Sequence, residues 1–240
     1  MARSRLSIVL GLTFGLTLSA SISSAQLITA VNQGWYDETG FHDPTNPNYF
    51  IGAFGGYPVT RDFFVFHLPT LAGPATAATL EIYNSAVDPF DPDSKGYFSP
   101  DPFETVVLHD VTTPLSSLTA GLGGVSAYND LGTGTVFGSA TLTNADNGKW
   151  IPFALNADFL AFLNTAPTQF ALGGMLSTLG DPSSYEFVFG SATEAPLARL
   201  TIQTTSIPVA PVPEPSTYGL LAALVVTAAA LRRRSARARA

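Results

Sequence analysis

The chain has 240 residues, no cysteine, and 18 acidic against 11 basic side chains, a formal net charge of −7. Without thiols there are no disulfide staples, no thiol catalysis and no thiolate zinc site. Seven of the basic residues lie in the two terminal segments, so Gln26 to about Val212 carries four basic against 17 acidic residues, a net of −13; such a surface repels nucleic acid.

Met1–Ala25 reads as a secretory signal peptide, with Arg3 and Arg5 ahead of the apolar run Leu6–Leu18 and small residues Ser23-Ser24-Ala25 before Gln26. The middle segment, residues 26–205, is long enough to bury a core of its own. It is rich in Gly, Pro, Thr, Phe and Val, with short apolar runs between turn signals, the pattern of an all-β sandwich or barrel.

In chain order, Leu27–Val31 is a first strand and Asn32–Asn48 a structured polar loop. Arg61–Leu68 (RDFFVFHL) has aromatics on both faces and is expected to be a central strand between two layers. Thr79–Tyr83 alternates, Ala86–Pro102 is an Asp-Pro-rich exposed loop, and Glu104–Val111 returns to strand. Ser126–Gly138 holds an Asn129-Asp130 turn and a Gly-rich hairpin, and Val136–Leu142 is a strand. Asn147-Gly148 signals a two-residue hairpin into Lys149–Leu155. One short helix is expected at Asn156–Asn164, with Asn156 as its N-cap. Gln169–Leu176, Tyr185–Gly190 and Leu197–Thr204 are closing strands.

Residues 206–215 form a proline-rich linker. Pro213-Glu214-Pro215 is stiff and non-helical; Tyr218–Leu231 is uncharged and apolar, and Arg232, Arg233, Arg234, Arg237 and Arg239 close the chain. A helix over Ser216–Leu231 is roughly 24 Å long, against a hydrocarbon core of about 30 Å. Residues 216–240 are read as a short transmembrane helix, with Arg232, Arg233 and Arg234 as its cytoplasmic basic anchor.

This tail resembles the PEP-CTERM sorting signal of Gram-negative bacteria in order, spacing and terminal position. The resemblance implies recognition near Pro213-Glu214-Pro215 by an exosortase-type membrane protease, after export by signal peptidase and the secretion machinery, with the mature domain released or attached at the surface. A looser resemblance, carried by Arg61–Leu68, Ala78–Asn84 and Leu197–Ile202, is to DNRLRE-type domains, which implies a jelly-roll-like antiparallel β-sandwich related to carbohydrate-binding modules.

Three groups are candidates for chemistry. Trp35 and Tyr36, with the polar groups up to Asn48, suit a platform on which sugar rings stack; the alternative is a loop pinned by two buried aromatics. Asp88, Asp91 and Asp93, with Asp101, could offer oxygens to Ca²⁺, although their spacing is not that of an EF-hand and solvated turns explain them equally. Glu81 and Glu104 could pair for glycoside hydrolysis. No nucleophile elbow, zinc-protease helix, P-loop or dinucleotide fingerprint occurs, and no cofactor is called for. The expected function is that of a non-enzymatic surface or matrix protein binding exopolysaccharide. Against it stand a secreted polysaccharide hydrolase or lyase and a structural coat protein without a specific ligand.

Overall fold

A computed structural model describes residues 23–86, 96–189, 198–205 and 215–237. The β-rich unit is two antiparallel sheets with short helices. Its strands are β1 (Ser23–Thr29), β2 (Asn32–Asp37), β3 (Ile51–Phe54), β4 (Thr60–His67), β5 (Ala75–Asn84), β6 (Glu104–Asp110), β7 (Val136–Leu142), β8 (Lys149–Ala154), β9 (Gln169–Leu176), β10 (Tyr185–Val188) and β11 (Ala198–Thr205). One sheet has four strands in the order β1-β11-β5-β8; the other has seven, in the order β10-β3-β4-β9-β6-β7, with β2 also paired to β4.

Alternation along each strand builds the core between the sheets. Leu80 and Ile82 of β5 and Leu200 and Ile202 of β11 meet Phe64 and Phe66 of β4 and Leu172 of β9 there. As expected, β4 is central and buried on both faces: Phe63 and Val65 point away from that core into a second cluster. The cover of that outer face is α1 (Leu115–Thr119) and α2 (Gly124–Asp130), which contribute Leu118, Ala127 and Tyr128. Asp130 fixes this layer by accepting from the backbone N–H and hydroxyl of both Thr112 and Thr113.

Several expectations are corrected. Asn32–Asn48 is not all loop: its first six residues are β2, because Gly34 and Tyr36 fit the buried outer face of β4. The stretch from Ser126 contains most of α2 rather than a turn, so the helices of this unit are α1, α2 and the expected α3 (Ala157–Leu163). Asn147-Gly148 does not close a hairpin, since β7 and β8 belong to different sheets and the chain crosses between them. Asn147 instead bonds across that crossing, accepting from Asn84 Nδ2 and donating to the Asn144 side chain, both at 3.0 Å. The first strand spans Ser23–Thr29 rather than Leu27–Val31, with Ser23, Ser24 and Ala25 paired to Thr205, Thr204 and Gln203.

In the tail, α4 runs from Pro215 to Arg237 over 23 residues. No helix among the described residues is long and apolar enough to cross a membrane. α4 carries Arg232–Arg234 and Arg237 within its own length, so its apolar part is shorter than a bilayer core. Residues 1–22 of the expected signal peptide, Asp88, Asp91 and Asp93, and Pro213 and Glu214 lie outside the described residues.

Candidate functional site

The strand alternation of β2 decides what the two predicted sugar-contact residues can do. Tyr36 faces α1 and α2, fully buried, and its hydroxyl donates to the Leu118 carbonyl at 2.8 Å. Its ring stacks on His42 at 4.9 Å, and burial pushes its phenol pKa up. Tyr36 is therefore a packing residue and cannot contact a ligand. His42, between Tyr36, Phe63 and Trp35, is likewise buried, and desolvation lowers its pKa.

Trp35 faces the other way and lies half-buried at a cleft of about 490 Å³. Its ring is 5.9 Å from that of Phe41 and 6.0 Å from that of Phe50. Phe54, Tyr57 and Phe187 complete an aromatic wall, while Asp37, Asn48 and Thr60 supply the polar groups. The Trp35 indole nitrogen is buried and has no hydrogen-bond partner among the described residues, so this residue offers the cleft ring carbon rather than a donor.

Asp37 shapes the rim. Its Oδ1 accepts from Thr39 N at 2.9 Å, Thr39 Oγ1 at 2.6 Å and Phe41 N at 3.0 Å, a tight Asx turn that displays the exposed Phe41 ring. Gly40 sits in that turn at φ +87°, and a Cβ there would come within 2.3 Å of the Val125 backbone nitrogen. The turn is thus pressed against α2, which holds the rim in place. The far wall comes from elsewhere in the chain: pairing of β3 with β10 sets Phe54 opposite Tyr185, with ring centres 5.0 Å apart. An apolar concavity with a few fixed polar groups is the usual form of a small-ligand or sugar-ring site. Sequence reasoning reached Trp35 but missed Phe50, Phe54, Tyr57 and Phe187, whose convergence depends on the β3–β10 pairing.

The carboxylates are arranged differently from the sequence expectation. Glu81 lies on β5 and Glu104 on β6, in different sheets. Glu81 is held by Arg199 in a bidentate pair at 2.8 and 3.1 Å, and the Arg199 guanidinium lies over the Trp150 ring at 4.1 Å. Glu104 instead approaches Asp101 and Glu186, with one oxygen from each within 4.8 Å of the others. Both glutamates are buried, and desolvation raises the Glu104 pKa, with the charges of Glu186 and Asp101 adding to it. Protein donors already serve them. Ser99 Oγ and Thr178 Oγ1 donate to Glu104, while Gly180 N at 2.7 Å and Asp181 N at 3.3 Å donate to Glu186. These hydroxyl and backbone donors hold the Glu104 and Glu186 carboxyls in place.

Among comparisons with known proteins, the match is confined to the tail. No curated protein matches the chain, and the DNRLRE resemblance of the sandwich finds no support. Residues 211–234 match the PEP-CTERM protein-sorting motif, so the chain carries the sorting signal of an exported protein processed by an exosortase at the cell surface.

Proposed function

We propose that this is a non-enzymatic exported protein whose β-sandwich binds extracellular polysaccharide through the Trp35 cleft. On this reading the tail engages the membrane only until exosortase cleavage. The observation that carries the binding role is the cleft itself: aromatic faces beside a fixed carboxylate, amide and hydroxyl, which suits a sugar's apolar ring face and its hydroxyls together. A structural coat protein without a ligand has no use for such a concavity. The non-enzymatic reading is supported by Glu81 being taken up by Arg199 and by Glu104 being buried among its own hydroxyl donors. Membrane engagement by an apolar run this short is supported by arginines able to snorkel at its end.

The test is pull-down of the exported protein with the producing cell's own exopolysaccharide, comparing wild type with Trp35→Ala. Binding that falls by at least about tenfold in the variant is expected. Absence of wild-type binding, or equal binding by the variant, defeats the reading.

A further inference from the structure

Beyond the cleft, the aromatic surface continues. Phe50 and Phe54 are 6.4 Å apart, Phe54 and Tyr185 5.0 Å, and Tyr185 and Phe98 6.0 Å, in one unbroken run of ring contacts from Trp35. Its end is built into the backbone: Phe98 is bridged to Phe187 by two hydrogen bonds of 2.8 and 2.9 Å. Much of the row is open to solvent, with Phe98 42 %, Tyr185 45 % and Tyr57 67 % exposed. Single exposed aromatics are ordinary, but a contiguous row on a soluble unit marks a surface meant to be covered.

Charge narrows what covers it. Among the described residues, Asp37 is the only carboxyl lining the cleft, and no lysine, arginine or histidine lines it. A uronate or sulfated polymer would meet a carboxylate without a compensating cation, on a segment of net charge −13. A cationic polymer would be drawn to this acidic surface anywhere, without use of the cleft. We infer that the cleft and row, from Trp35 to Phe98, bind several consecutive units of an uncharged polysaccharide. This rests on the polysaccharide reading and deepens it: a succession of ring faces and edges gives successive sugar units apolar contact, while a single-sugar ligand would use the cleft alone.

The test is affinity electrophoresis of the full chain in native gels cast with hydroxyethyl cellulose, xyloglucan or polygalacturonate. Titration follows with oligosaccharides of increasing length cut from the polymer that binds. Retardation by a neutral polymer and none by polygalacturonate is expected. Affinity should rise with oligosaccharide length in wild type and stop rising early in Tyr185→Ala, so that the loss is larger for the longest fragment than for the shortest; a variant that merely failed to fold would lose both alike. Retardation by polygalacturonate equal to that by the neutral polymers overturns the inference, as does a Tyr185→Ala variant with unchanged length dependence. If the neutral polymers all fail while the cell's own exopolysaccharide is still pulled down, only this inference falls; if both fail, the polysaccharide reading falls with it.

Discussion

Asp62 is the residue at which sequence and environment most conflict. It lies on the core face of β4, fully buried, and neither carboxylate oxygen has a hydrogen-bond partner among the described residues. Space for it exists because its cross-strand partner is Gly174, where a Cβ would come within 2.3 Å of Asp62 Oδ1. Desolvation raises its pKa well above the ordinary carboxylate value, so the folded protein keeps a proton that the unfolded chain releases above about pH 4. The folded state then binds more protons, and stability falls as pH rises from about 4 toward the folded pKa, by up to about 1.4 kcal/mol per pH unit. Asp62→Asn should flatten this slope, and chemical denaturation at pH 4 through 8 measures it; parallel slopes in both proteins would show that Asp62 ionises freely when folded. Tyr36 gives a second prediction. Tyr36→Phe removes the bond to Leu118 and should cost about 0.5–1.5 kcal/mol, read as a lower urea midpoint, with glycan binding unchanged because the ring lies outside the cleft.

At the scale of elements, α3 shows local chemistry acting in the open. Asn156 caps it, accepting from Phe159 N at 3.1 Å, while its amide donates to the Val136 carbonyl at 2.7 Å. Asn156→Ala should therefore cost about 1 kcal/mol or somewhat more, visible as a shift in the unfolding midpoint. That helix was legible because its cap and its apolar period coincide in sequence. By contrast α1 and α2, five and seven residues long, have no side-chain cap, and Asn129-Asp130 at the end of α2 reads in sequence as a turn. They exist because the outer face of β4 must be covered, a tertiary requirement that no local pattern states. The same distinction runs through the site. Arg61–Leu68 announced a two-sided strand by placing aromatics at both parities, and Trp35 stood out in a polar segment. That Tyr36 would turn inward followed only once β2 was known to be a strand. The wall at Phe54 and Phe187 followed only from register between residues more than a hundred positions apart.

At the scale of the whole molecule, the address and the cargo are physically distinct. The β-rich unit has strands in register from Ser23 to Thr205, and α4 starts at Pro215, within the matched motif. Proline is well suited to that first helical position but cannot continue a helix upstream in the usual way, because it lacks an N–H and restricts the residue before it. Two prolines flanking Glu214 therefore disfavour helix in the recognition segment by sequence alone. Replacing Pro213-Glu214-Pro215 by three alanines substitutes the best helix formers for the worst, lets α4 propagate backward through the scissile region, and deletes the one carboxylate the motif presents. A protease that reads Pro-Glu-Pro has then lost its recognition residues. The expected outcome is protein retained in the membrane fraction at the mass that includes the tail, with little in the medium. Mass spectrometry of both fractions measures this and fixes the two mature ends in wild type. Appearance of the triple-alanine protein in the medium at the wild-type mass would mean that cleavage does not read this motif.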